Sequence, residues 1–233
     1  MDHQPGPSIR AKKSARDRLI RLALTHPAWA LGFEDEVWWS RLARPALHSW
    51  AEADQPLRLV EQAVAKDDPD PKALACYGLL VRSVAPRGGW EEQAWVRFVA
   101  GRPLSARTIE FLAWCCRKLQ AGGKAALLLV WDNASWHGSQ TVRAWIREHN
   151  RQCKRSGQGV RIVNCYLPSK SPWLNPIEPK WVHGKRRVVE ADGLLTAAEL
   201  RARVCAALAC PLEDLLGLPE PLDHHQPVPA NVA

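Results

Sequence analysis

The chain has 233 residues, 46% of them hydrophobic and 24% charged, which suffices for one sizeable core and is too apolar for wholesale disorder. Its 32 lysines and arginines exceed its 24 acids by eight charges, a balance that favours a polyanionic partner. No apolar run approaches the roughly 20 residues of a membrane span, and the N-terminal MDHQPGPSIRAKKS lacks the apolar stretch of a secretion signal, so a cytoplasmic protein that engages no membrane is expected.

The first dozen residues, basic and Pro-containing, are expected to be loose. Ser14 then offers an N-cap to a short helix over Ala15 to Thr25, with Leu19, Ile20, Leu22 and Leu24 as its apolar face. From Phe33 the period changes to two, placing Phe33, Asp35, Val37 and Trp39 on one face of a strand and Glu34, Glu36, Trp38 and Ser40 on the other. Further strands are expected at Ala46 to Ala53 and Ala73 to Val84, separated by the acidic, Pro-broken Lys66 to Lys72. Ser105 is expected to cap a helix that reaches Gln120 and closes at Gly122-Gly123. The apolar run Ala125 to Trp131 is a strand that ends in Asp132. Ser139 caps a helix with Val142, Trp145 and Ile146 as its apolar stripe, followed by a basic loop, Asn150 to Gly159. Val160 to Leu167 is the next strand, and Pro168 to Pro176 leads irregularly into a helix carrying Glu178. Thr196 and Glu199 form a T-x-x-E capping box for a last helix to about Ala209, and a Pro-rich tail begins at Pro219.

Strand, strand, strand, helix, strand, helix, strand, helix is the order of an α/β, ribonuclease H-like fold: a mixed five-stranded sheet flanked by helices. Residues 1–30 are expected as an N-terminal tail and short helix, 31–215 as the catalytic domain and 216–233 as a flexible tail.

A carboxylate at the end of a buried strand and another on a segment opening with Asn-Pro are the means to bring hard oxygen ligands together around a divalent cation. Asp132 alone also fits a strand-end turn, and Glu178 alone a first-turn acid facing the helix dipole. Asp35 is flanked by Glu34 and Glu36, and alternation selects it because it shares a face with Phe33 and Val37. Asn133, His137 and Asn175 stand where they can orient these acids or pin turns. Lys180, Lys185, Arg186 and Arg187 form a basic cluster after Glu178, suited to DNA phosphates or to a solvated helix face. Several of the twelve tryptophans flank the acidic blocks; most are expected in the core, with one or two available to stack on a base. Seven cysteines without a C-x-x-C pair read as buried thiols rather than a zinc site. His224-His225 lies in the Pro-rich tail with no scaffold for a metal, and P-loop and G-x-S-x-G sequences are missing, so ATPase and serine-hydrolase chemistry lack support.

Three blocks, Asp35-Glu36-Val37-Trp38-Trp39-Ser40, Val130-Trp131-Asp132-Asn133-Ala134-Ser135-Trp136-His137 and Leu174-Asn175-Pro176-Ile177-Glu178-Pro179-Lys180-Trp181, resemble in order the acidic blocks of DDE transposases. The branch they resemble is the bacterial insertion-sequence group related to mariner elements. The resemblance implies a metal-dependent DNA strand transferase in which Asp35, Asp132 and Glu178 hold two Mg²⁺ ions, with Mn²⁺ able to substitute. It also implies DNA partners, the element's terminal inverted repeats and a target, and a homo-oligomer in a synaptic complex. Family members carry a helix-turn-helix region ahead of the first acid, for which the 1–30 segment leaves little room, so a truncated or missing DNA-reading region is expected. A catalytically silent or domesticated remnant that binds DNA without sequence preference, and a nuclease acting on RNA in hybrids, are the other readings. The 45 residues between Asp132 and Glu178 exceed the usual spacing of that superfamily, and the excess is expected in the Asn150 to Gly159 loop.

Overall fold

The computed structural model describes residues 7–42, 64–85, 87–188 and 194–217. Its elements in chain order are α1 (Pro7–Thr25), β1 (Trp29–Ser40), β2 (Ala73–Val84), β3 (Trp90–Phe98), α2 (Ser105–Ala121), β4 (Ala126–Trp131), α3 (Gln140–Ser156), β5 (Arg161–Tyr166), a 3₁₀ turn (Pro172–Leu174), α4 (Glu178–Val188) and α5 (Ala197–Ala207). The strands form one sheet in the order β3-β2-β1-β4-β5. β1, β2 and β3 pair antiparallel, while β4 and β5 run parallel to β1. This is the ribonuclease H-like arrangement, with the expected five mixed strands and helices on both faces.

Among the described residues the meander is β1, β2 and β3; the Ala46 to Ala53 segment, expected as a strand, lies outside the described residues, as does the tail after 217. After Trp90, β3 runs through Glu91, Glu92 and Gln93, all exposed, and it lacks the apolar run that marks β2; its signal was the Gly88-Gly89 pair, both at positive φ in the turn after β2. Two further elements differ from expectation. α1 starts at Pro7, so residues expected to be loose are helical, and the expected Ala15 to Thr25 part packs on the sheet through Leu19 and Ala23, both buried. α3 runs to Ser156 and ends at Gly157 in the left-handed conformation, so the extra length between Asp132 and Glu178 is helix rather than loop. Asn150, a loop former by propensity, is held in that helix by tertiary bonds: its Nδ2 donates to the Ile162 carbonyl and its Oδ1 accepts from the Ile162 N–H, each at 2.8 Å. Those bonds also cover part of edge strand β5.

The sheet divides the core in two. One face carries Phe33, Val37, Trp39, Leu128 and Val130, and is covered by α1, α4 and α5 through Leu19, Trp181 and Leu200. The other carries Tyr77, Leu79, Leu127, Leu129 and Trp131, and is covered by α2 and α3 through Phe111, Leu112 and Ile146. All six residues of β4 are buried, as a parallel strand between two helical layers requires.

α4 approaches the sheet where there is no side chain to obstruct it. Gly78 pairs with Asp35 across the β1–β2 ladder, and a Cβ placed on Gly78 would stand 2.2 Å from the Trp181 ring. Gly78→Ala is therefore expected to lift Trp181, costing about 1–3 kcal/mol by overpacking. A urea denaturation midpoint equal to that of the parent would contradict this account of α4 docking.

Candidate metal and nucleic-acid site

Strand register alone places the first two acids. Phe33 lies opposite Val130 in the parallel β1–β4 pairing, so two residues further along each chain, on the same face, Asp35 stands beside Asp132. The third acid arrives on α4. The indole N–H of Trp181 donates to Asp35 Oδ2 at 2.9 Å; Asn175, buried in the preceding segment, donates from Nδ2 to the Glu34 carbonyl at 2.9 Å. Asn175 thus ties the approach to α4 onto β1 and does not cap the helix with its side chain. The result is a cleft of about 350 Å³ lined by Asp35, Asp132 and Glu178 together with Asn133 and Asn175.

The carboxylates repel one another. Burial, followed by the Glu178 charge, pushes the Asp35 carboxyl up to about 7, against the lowering bond from Trp181. Burial and the Asp132 charge raise Glu178, with Lys185 opposing. At Asp132 burial also acts upward, but the His137 hydrogen bond, the Ala134 N–H and the His137 charge outweigh it and hold this carboxylate below its usual range. The donor set, three hard carboxylates opening on a cleft, fits a divalent cation with remaining positions for water or phosphate oxygen.

His137 lies on the opposite side of β1 from the cleft and is fully buried. Its Nδ1 is 2.8 Å from Asp132 Oδ1 and its Nε2 is 3.0 Å from Glu36 Oε1. Glu34 Oε2 is 3.2 Å from the same Nε2, without hydrogen-bond alignment. Trp136 Nε1 donates to Glu36 Oε1 at 2.6 Å, and the imidazole stacks on Trp131 with ring centroids 4.6 Å apart. Burial pushes the imidazole value down, but the Glu34 charge and the bonds to Asp132 and Glu36 hold it up at about 11, so both nitrogens are protonated and both donate. Burial and the Glu36 charge raise Glu34 well above the carboxylate range. Glu34, Glu36 and His137 are the described trio whose ligand atoms all lie within 4.8 Å of one another; the imidazolium already occupies the centre of that trio.

The cluster after Glu178 does not act as one patch. Lys185 lies close enough to Glu178 to oppose the rise in its value. Lys180 pairs with Glu92 at 2.7 Å, and with Arg187 it lines a separate cleft of about 510 Å³ between α4 and β3; Arg186 is exposed on the helix. Of the tryptophans near the acids, Trp39, Trp131 and Trp181 are core, while Trp38 is 49% and Trp173 75% exposed. Sequence reading missed Glu34, Glu36 and Trp136 as partners of His137; the alternation of β1 already put both glutamates on one face, but nothing in the sequence says that this face meets the loop after β4.

Residues 91–201 match the family model described as DDE superfamily endonuclease, a span that includes Asp132 and Glu178 and begins after Asp35. No curated protein matches the sequence. Among solved structures, the Mos1 transposase paired-end complex with left transposon end is similar at TM-score 0.57 and 15% identity, over 91% of this chain and 57% of that one. A pre-cleavage Mos1 transpososome follows at TM-score 0.56 and 13% identity, over 90% and 57%. The Mos1 mariner paired end complex with Mn gives 0.54 and 16%, over 89% and 56%. The chain spans a little over half the length of these proteins, and at such identities the likeness is one of fold.

Two outcomes follow from the electrostatics. Replacing His137 with Gln leaves Glu34, Glu36 and Asp132 around no cation, and is expected to cost about 3–5 kcal/mol of stability, measured by guanidinium denaturation. In metal-free buffer, Asp35 holds its proton more tightly folded, at about 7, than unfolded, at about 3.9. Its ionisation therefore lowers stability as pH rises from about 4 to about 7, by at most about 4 kcal/mol. Denaturation of the parent and of Asp35→Asn at pH 5 and pH 8 should show a smaller loss in the variant; equal losses would exclude Asp35 as a source.

Proposed function

We propose that this chain is a DDE-superfamily endonuclease, the catalytic part of a transposase of the mariner-related bacterial insertion-sequence type, cutting DNA at the ends of a mobile element and joining the freed ends to a target. The observation that carries the reading is the convergence of Asp35, Asp132 and Glu178, from β1, the end of β4 and the first turn of α4, on one cleft. One of the similar structures is a Mos1 paired end complex with Mn, which agrees with the hard-oxygen character of the donors here.

In this reading Asp35, Asp132 and Glu178 would hold two Mg²⁺ ions. Bound there, the ions supply Lewis-acid activation of the attacking oxygen and charge neutralisation at the leaving oxygen of an in-line displacement. The protein's own residues fix geometry. Trp181 orients Asp35, while His137 and the Ala134 N–H together orient Asp132 by sharing its Oδ1. A water oxygen bonds to phosphorus as the bond to the 3′ oxygen breaks, leaving a 5′ phosphate and a 3′ hydroxyl; in the joining step that hydroxyl is the attacking group. Two element ends must be cut and joined together, so two copies of the chain, each bearing an inverted repeat, are the expected assembly.

The test is nicking of supercoiled plasmid in Mg²⁺ or Mn²⁺ by the purified chain, beside Asp35→Asn, Asp132→Ala and Glu178→Ala variants with verified folding. Activity is expected in the parent and at background in all three. A folded parent that binds DNA but never nicks it would instead support the silent-remnant reading, and nicking that survives loss of Asp132 would remove the carboxylate site from the chemistry.

A further inference from the structure

The inner face of α1 changes character along its length. Lys12, Arg16, Leu19 and Ala23 follow one another at helical spacing, so they form one stripe. Leu19 and Ala23 are buried in the core beneath the sheet face that carries Asp35. One turn further toward the N-terminus the helix leaves the core, and the same stripe becomes cationic where it meets the carboxylate cleft. Lys12 Nζ donates to Asn133 Oδ1 at 3.0 Å and to the Leu167 carbonyl at 3.2 Å. Both residues line the cleft. Arg16 Nη1 donates to the Leu174 carbonyl at 3.1 Å, in the segment that leads to Glu178.

A lysine on the β5–α4 loop lines the cleft itself. Lys170 is exposed, belongs to the cleft lining and stands at φ 55, in the left-handed region that a non-glycine residue enters at a cost of about 1–2 kcal/mol. Glycine or asparagine would adopt this conformation more easily, yet the position carries a long cation.

We infer that Lys12 and Lys170 are rim cations of the cleft that receive the phosphate backbone of the DNA strand entering it, a task the sequence had suggested for Lys180, Lys185, Arg186 and Arg187. The inference rests on the DNA-cutting reading above and names how the same site meets its substrate. An acid-lined cleft repels a phosphodiester, and cations at its mouth offset that repulsion before and after the metal binds. Lys12 has a further effect: by bonding to the loop after β4 and to the end of β5 at once, it sets the width of the entrance. Arg16 is a positioning residue through Leu174, without contact to DNA.

The test is binding of a fluorescent DNA duplex, followed by anisotropy over a salt series in metal-free buffer, for the parent, Lys12→Gln, Lys170→Asn, the double variant and Arg18→Gln. Arg18 is an exposed cation of α1 off the Lys12 stripe, and it controls for loss of net charge. Each lost phosphate contact lowers the slope of log K against log salt by about 0.9. Slopes are expected to fall by about 1 in each single lysine variant and about 2 in the double, with affinity several-fold to tenfold weaker, and to be unchanged in Arg18→Gln. Lys12→Arg and Lys170→Arg are expected to restore the parent slope. Because asparagine suits the left-handed conformation, Lys170→Asn is expected to melt no lower than the parent, which separates a lost contact from lost folding. Parent slopes in both lysine variants, or an equal fall in Arg18→Gln, would overturn the assignment. If the parent nicks plasmid while the slopes stay unchanged, the rim assignment fails and the nuclease reading stands; a parent that binds no duplex at any salt overturns both.

Discussion

Everything in the cleft depends on one contact, the Trp181 indole lying over Gly78 with its N–H on Asp35. The contact works because three conditions coincide. Gly78 is the cross-strand partner of Asp35, so the bare patch of sheet lies next to the carboxylate. Trp181 is 3% exposed, and a buried indole needs a partner for its N–H, which Asp35 provides. Glu178 lies three residues before Trp181, nearly one turn away on the same helix, so seating the indole sets the height of Glu178 over the sheet. Removing a side chain of this size from a core typically costs about 3–5 kcal/mol. A ring seated by that much free energy is a firm reference point for the position of Glu178 relative to the other two carboxylates of the cleft. Asn175 adds a second tether from the same segment to the neighbouring residue of β1.

β1 then carries charge to both faces of the sheet. Asp35 faces α4, while Glu34 and Glu36 face the layer of α2 and α3. Each carboxylate taken from water carries a desolvation cost, and the two faces meet it differently. Behind the sheet the answer is internal: His137, charged and fully buried, stands between Glu36 and Asp132 with Glu34 alongside. In front of it Trp181 and, at a distance, Lys185 offset only part of the cost, so Asp35 and Glu178 remain raised. The difference is functional in form. A neutralised cluster holds geometry, whereas an under-neutralised one has affinity for a cation. Asp132 belongs to both clusters, since one oxygen accepts from His137 while the residue lines the cleft, and through it the rigid cluster orients the open one.

How much of this the sequence disclosed depended on whether the signal was local. β2 and β4 were legible because burial on both faces writes an unbroken apolar run. The α5 capping box was legible because Thr196 and Glu199 complete it within four residues, and both of its bonds are present. The acid blocks were legible as residue patterns. β3 was not, because its first half is polar and its stability comes from pairing with β2. The far end of α3 was not, because Asn150 stays helical only through Ile162. Ser105, expected as an N-cap, is the first residue of α2, and its hydroxyl donates to Ser139, the residue that caps α3. The basic cluster of α4 read as one patch because it is contiguous in sequence; a period of 3.6 residues divides it, sending Lys180 and Arg187 to one side and Lys185 to the other.

The same division bears on how a polyanion reaches a cleft lined with acids. Excess positive charge over the whole chain raises the encounter rate with DNA but does not select where the strand comes to rest. Selection needs cations whose position is set by the structure rather than by a flexible stem alone. On α4 the nearest, Lys185, acts on Glu178 itself, and Lys180 is engaged by Glu92, which also pairs with Arg82. Lys12 differs in kind: its ammonium is held by two bonds to the cleft's own loops, on a helix anchored in the core by Leu19 and Ala23. A cation fixed in this way has lost part of its conformational freedom on folding, so less remains to be lost when a phosphate arrives. The first turns of α1, which the sequence suggested were loose, are therefore as much a wall of the site as the strands that carry its acids.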